Sequence, residues 1–98
     1  MKKALVIGVG PLNGLGAQLC KKIANNNFEV FVAGRTKNSL DIVVNSIIKD
    51  GNKAIPIIVD TTDELQIKSM MNAVGTGLDF AIYNVGNNRP GKIIDMEA

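Results

Sequence analysis

Along this chain, short apolar runs alternate with stretches whose apolar residues recur at helical spacing. Residues 4–9 are apolar apart from one glycine, as in a strand buried on both faces. Leu15, Leu19 and Ile23 then recur at four-residue spacing, with Ala24 beside Ile23, and predict the apolar face of a first helix. Three asparagines at 25–27 end it, since asparagine tolerates the left-handed conformation common at helix C-termini. Residues 28–33, FEVFVA, predict a second strand. Leu40, Val43, Val44 and Ile47 follow the i, i+3, i+4, i+7 template of a second helix, closed by Gly51 and Asn52. Residues 54–59 predict a third strand, and Pro56 within it favours an edge position. Thr61, three residues before Glu64, predicts a capping box at the start of a third helix. Ile67, Met70, Met71 and Val74 carry that helix's apolar face, and Gly75 and Gly77 end it. Residues 78–83, LDFAIY, predict a fourth strand; residues 86–98 read as loop with a short turn near Ile93 and Ile94.

The predicted order is β-α-β-α-β-α-β, which implies an α/β fold with a parallel sheet of four strands and helices on both faces. In such sheets ligands sit outside the carboxyl ends of the strands. No internal repeat, low-complexity segment or interdomain linker interrupts the pattern, so residues 1–98 read as one domain.

Composition narrows the chemistry. The chain has 98 residues, 46% hydrophobic and 20% charged, an ordinary soluble mixture. A net charge of +2 argues for neither a nucleic-acid nor an anionic-membrane partner. The start, Met1-Lys2-Lys3 before an apolar run, has the outline of a signal peptide, but Gly8, Gly10, Pro11 and Asn13 break the run. The expected setting is the cytoplasm, consistent with a single cysteine, Cys20, expected to be buried in the first helix. Without histidine the commonest general base and zinc ligand are missing, and no metal site is expected.

The candidate chemistry lies between the first strand and the first helix. VIGVGPLNGLG, residues 6–16, holds four glycines in eleven positions. Glycine loses more freedom on folding than any other residue, so the cluster needs a reason. Close helix–strand packing is one. Another is a phosphate-bearing ligand, held by the N–H groups and positive dipole end of the helix that follows. The loop does not fit G-x-G-x-x-G, because Asn13 stands where the third glycine would be.

With these landmarks the chain resembles the N-terminal half of the short-chain dehydrogenases/reductases, over residues 3 to about 92. That family has a T-G-x-x-x-G-x-G loop after its first strand. Residues 10–16 fit G-x-x-x-G-x-G, with Val9 in place of the threonine. Starting the match at Gly8 instead keeps the natural strand length but needs a loop two residues longer. Gly14, Leu15 and Gly16 keep their places in both; Gly8 and Gly10 exchange one role, and Asn13 lies within the loop. The resemblance implies a Rossmann-type three-layer half-domain with strand order 3-2-1-4, and an oxidoreductase moving hydride between a nicotinamide and a carbonyl or alcohol.

It also implies a set of cofactor contacts. Where an NAD-binding chain has an acid for the ribose 2′-hydroxyl, this one has Arg35 and Thr36, and Arg35 suits the 2′-phosphate of NADP. Asp60, followed by Thr61, matches the family's aspartate at the adenine amino group. Asn84, Val85 and Gly86 resemble its N-N-A-G segment beside the ribose, with Tyr83 for the first asparagine and Val85 for alanine. The expected cofactor is NADP(H). The family's catalytic serine and Tyr-x-x-x-Lys follow the fourth strand, and no residue up to Ala98 matches them, so no catalytic residue is assigned and the chain alone is expected to be inactive. A nucleotide-sensing or interaction module on the same fold is the alternative, and a flavodoxin-like signalling domain is disfavoured. An open fourth-strand edge, or the surface of the third helix, is expected to make the chain a homodimer.

Overall fold

The computed structural model describes residues 2–10, 12–75, 77–83 and 92–94. Its elements run β1 (Lys2–Ile7), α1 (Leu15–Ala24), β2 (Phe28–Gly34), α2 (Lys37–Lys49), β3 (Lys53–Ile58), α3 (Glu64–Val74), β4 (Phe80–Tyr83) and β5 (Lys92–Ile94). The sheet order is β3-β2-β1-β4-β5. The first four strands are parallel, in the expected 3-2-1-4 order, with Pro56 on the edge strand.

Strand alternation divides the core in two. Val6, Val30 and Val32 point to one face, where Ala17, Cys20 and Ala24 of α1 and Leu40, Val43, Val44 and Ile47 of α2 cover them. Leu5, Ile7, Phe31, Ala33 and Ala81 point to the other, under Met70 and Val74 of α3. This gives three layers, with the central strand β1 fully buried over its last four residues. Cys20 is wholly buried, and desolvation pushes its thiol up to about 12, so it is the inert apolar residue expected.

Four local expectations need correction. The fully buried residues of α1 are Gly16, Ala17, Cys20 and Ala24; of the expected face, Ala24 is buried and Ile23 packs on the core at partial burial, but Leu15 is 52% exposed. Small residues take the sheet side because they let the helix backbone approach closely. The start of α3 is capped by Asp63, whose Oδ1 accepts from the N–H groups of Leu65 and Gln66 at 2.9 and 3.4 Å, so Thr61 caps nothing. β4 begins at Phe80 rather than at 78, because Asp79 pins the entry: its N–H donates to the Lys3 carbonyl, and its Oδ2 accepts from the Lys3 N–H. Finally, residues 92–94 are a strand rather than a turn. They pair antiparallel with Ala81, Ile82 and Tyr83, so the β4 edge expected to be open for a second copy is covered by this chain itself.

The punctuation residues act as expected. Asn27 takes the left-handed conformation (φ 66°) after α1, and Gly51 (φ 85°) does so after α2.

Candidate functional site

The carboxyl ends of the parallel strands open into one cleft of about 330 Å³. Each strand contributes one part of its wall. After β1 come Gly8, Val9 and Gly10; at the end of β2, Gly34, Arg35 and Thr36; after β3, Val59, Asp60, Thr61 and Thr62; at the end of β4, Tyr83.

The floor is backbone. Gly8 turns out of β1 at φ 89°, a conformation that side chains rarely adopt. The N–H groups of Gly8 and Val9 both donate to the carbonyl of Ala33, each at 2.9 Å, which folds the loop back over β2. Val9 stays buried, and its carbonyl lies where a Cβ on Gly34 would stand, at 2.3 Å. A Cβ on Gly10 would meet nothing within 4 Å, so open space borders the backbone there. Gly14 is the N-cap of α1 and supplies no side-chain acceptor, and the first turn carries no acid. The N–H groups at that helix start are thus left without a side-chain cap, as an anion would require.

The rim carries charge of both signs. Among the described lining residues Arg35 is the one cation and Asp60 the one acid. The Asp60 carboxyl accepts from the Thr62 hydroxyl at 2.7 Å and from the Thr62 N–H at 3.0 Å. These bonds, helped by the charge of Arg35, hold it below its ordinary value and keep it ionised. The Asp60 N–H donates to Gln66 Oε1 at 2.8 Å, and the Gln66 amide reaches Asp63, so the turn is tied to α3. Lys37, two residues beyond Arg35, is paired instead with Asp41 at 2.6 Å.

Of the residues expected from sequence, Gly8, Gly10, Arg35, Thr36, Asp60 and Thr61 meet on the cleft wall. Asn13, Gly14, Leu15 and Gly16 do not line it; they lead into α1, with Gly16 buried. Asn84, Val85 and Gly86 lie outside the described residues. Sequence reasoning missed Val9, Gly34, Val59, Thr62 and Tyr83 as lining residues. Thr62 had a usable signal, since an aspartate two residues before a threonine favours a side-chain-closed turn. Tyr83 had one too, as a departure from the asparagine of the resembled motif.

Comparison with known proteins follows the same outline. The short chain dehydrogenase family profile matches residues 2–98. An uncharacterized oxidoreductase of Staphylococcus aureus (strain MRSA252) is 32% identical over 98 residues, which are 98% of this chain and 41% of that protein. A short-chain dehydrogenase from Rhodopseudomonas palustris is 30% identical with a TM-score of 0.78, over 90% of this chain and 42% of that one. An actinorhodin polyketide ketoreductase solved with NADPH shares the fold, with a TM-score of 0.79 at 24% identity over 88% of this chain and 33% of its own. The chain thus spans about 41% of the length of the curated relative it matches. With the glycine loop, the strand order and the strand-end cleft already in place, a profile match over nearly every residue makes this chain a member of the short-chain dehydrogenase family.

Proposed function

We propose that this chain is the NADP(H)-binding portion of an oxidoreductase that moves hydride between a nicotinamide and a carbonyl or alcohol. The observation that carries the proposal is Arg35. It is the one cation among the described lining residues and sits directly after β2, with Thr36 rather than an acid beside it. A guanidinium at that point suits a 2′-phosphate, whereas a 2′-hydroxyl calls for a carboxylate.

The remaining parts fit a dinucleotide. The glycine backbone at Gly8 and Gly10, with Asn13, Gly14, Leu15 and Gly16 leading into α1, would hold the pyrophosphate. Open space beside Gly10 and the uncapped start of α1 support that role. Asp60, ionised and oriented by Thr62, would accept from the adenine amino group, with Thr61 beside it. Asn84, Val85 and Gly86 would lie along the ribose. The cofactor supplies the hydride; these residues bind and orient it. Among the described residues no helix is long and apolar enough to cross a membrane. Together with a free, buried cysteine this supports a cytoplasmic setting. Self-association belongs to the same reading, through the side of the sheet that carries α3, where Leu65 is 74% exposed.

Titration of the folded chain with NADPH and NADH tests the cofactor. Arg35→Ala is expected to weaken NADPH about tenfold to hundredfold and to leave NADH nearly unchanged, because one charge-assisted contact is removed. An equal loss for both cofactors would overturn the assignment.

A further inference from the structure

Tyr83 ends β4 on the side of the sheet covered by α3, where its ring packs against the second core cluster. Its hydroxyl donates to Thr61 Oγ1 at 3.1 Å. The bond joins places far apart in the sheet. Thr61 follows β3, an edge strand, and β2 and β1 lie between β3 and β4. The contact therefore runs across the carboxyl ends of two intervening strands and closes one wall of the cleft that both residues line.

Thr61 is part of a stiff turn. Asp60 Oδ1 takes both hydrogen bonds from Thr62, the Asp63 N–H donates to the Asp60 carbonyl at 3.0 Å, and Gln66 holds the Asp60 N–H. Those bonds shape the turn and tie it to α3. The Tyr83 bond ties this turn to the end of β4, beside Asp60 on the cleft wall. An asparagine side chain, shorter than a tyrosine by most of a ring, has a much shorter reach from the same position.

We propose that Tyr83 is a positioning residue for the nucleotide, acting through Thr61 to hold the Asp60 turn at the separation that an adenine nucleotide needs. The proposal rests on the reading of the cleft as a dinucleotide site. It concerns the adenine end shared by both cofactors, not the 2′-phosphate.

The test is a set of affinity titrations with NADPH and NADH on the full chain. Tyr83→Phe keeps the ring and removes the hydroxyl; Thr61→Val keeps the shape and removes the acceptor. Each is expected to weaken both cofactors alike, by about fivefold, the scale of one hydrogen bond. The double variant should lose no more than either single one, since both remove the same bond. Thr61→Ser, which retains an acceptor hydroxyl, should bind as the unaltered chain does, a rescue that a purely structural role for the methyl group would not produce. Unchanged affinity in both Tyr83→Phe and Thr61→Val, or single losses that multiply in the double variant, would overturn the proposal. Failure of the unaltered chain to bind either cofactor would overturn this proposal and the functional reading together. Equal loss of both cofactors in Arg35→Ala, with the Tyr83 series as expected, would remove NADP specificity alone.

Discussion

Gly34 and Gly10 show how differently two glycines of one site can be constrained. At Gly34 a methyl group would stand 2.3 Å from the backbone carbonyl oxygen of Val9 and 3.1 Å from Leu40 Cδ2. Neither the strand nor the loop can yield easily, because the Val9 N–H is bonded to Ala33 and the Val59 N–H to the Gly34 carbonyl. Gly34→Ala is therefore expected to cost about 1–3 kcal/mol in urea unfolding, the range of an overpacked core. At Gly10 the added methyl meets nothing within 4 Å, and Gly10→Ala should change stability by less than about 0.5 kcal/mol. A similar loss at both positions would mean that the loop does not lie over β2 as described. Sequence flagged Gly10 within the glycine cluster of residues 6–16 and passed over Gly34, which stands alone after an apolar run. The difference comes from the distance to the Val9 carbonyl, in the loop after β1.

At the scale of elements, the order and type of seven of the eight were legible, because each carried its own period. What was not legible was which of two apolar stripes a helix buries. In α1, Leu15, Leu19 and Ile23 make the more hydrophobic stripe, yet Gly16, Ala17, Cys20 and Ala24 are the residues fully buried, and only Ile23 of the stripe packs on the core with them. Side-chain volume against a nearby strand decides this, and periodicity does not contain it. The start of α3 failed for a related reason. Thr61, Thr62 and Asp63 are all plausible caps by type, and the turn closed by Asp60 leaves Asp63 in place for the role. Asp63→Ala should then lower stability by about 1 kcal/mol, and Thr61→Ala should not affect the helix start. Amide chemical shifts of Leu65 and Gln66 would report the lost cap directly. β5 escaped notice because three residues in a polar stretch give no period to read. Of the cleft lining, Gly8, Gly10, Arg35 and Asp60 stood out by residue type; Tyr83 showed only as a departure from an asparagine, and its bond across the sheet has no local signature.

The molecule as a whole is unevenly covered. Among the described residues, one face of the sheet lies under two helices and the other under α3 alone. On that second face Ile55 is 39% exposed and Leu65 74% exposed. With β5 on the β4 edge, association through that edge would have to displace it, so of the two expected routes the α3 surface is the one left uncovered by a strand. Sedimentation should show a species that grows with protein concentration, with a melting temperature that rises alongside it. Leu65→Glu is expected to shift the equilibrium to monomer without lowering the monomer's own stability, since Leu65 is mostly in water already. A monomer at all micromolar concentrations would refute the association.

One consequence of the shared Ala33 carbonyl concerns time rather than shape. Gly8 and Val9 both give their N–H groups to it, so the first two residues after β1 are bonded into the sheet as firmly as a strand residue. Their amides can exchange with deuterated solvent only when β1 and β2 part, which is the global unfolding event of a sheet core. Exchange at Gly8 and Val9 should therefore track urea in parallel with Val6 and Val32, at the same free energy. The part of the loop free to respond to an arriving phosphate on a faster clock would begin at Gly10, and the cleft floor would be ready before any ligand arrives.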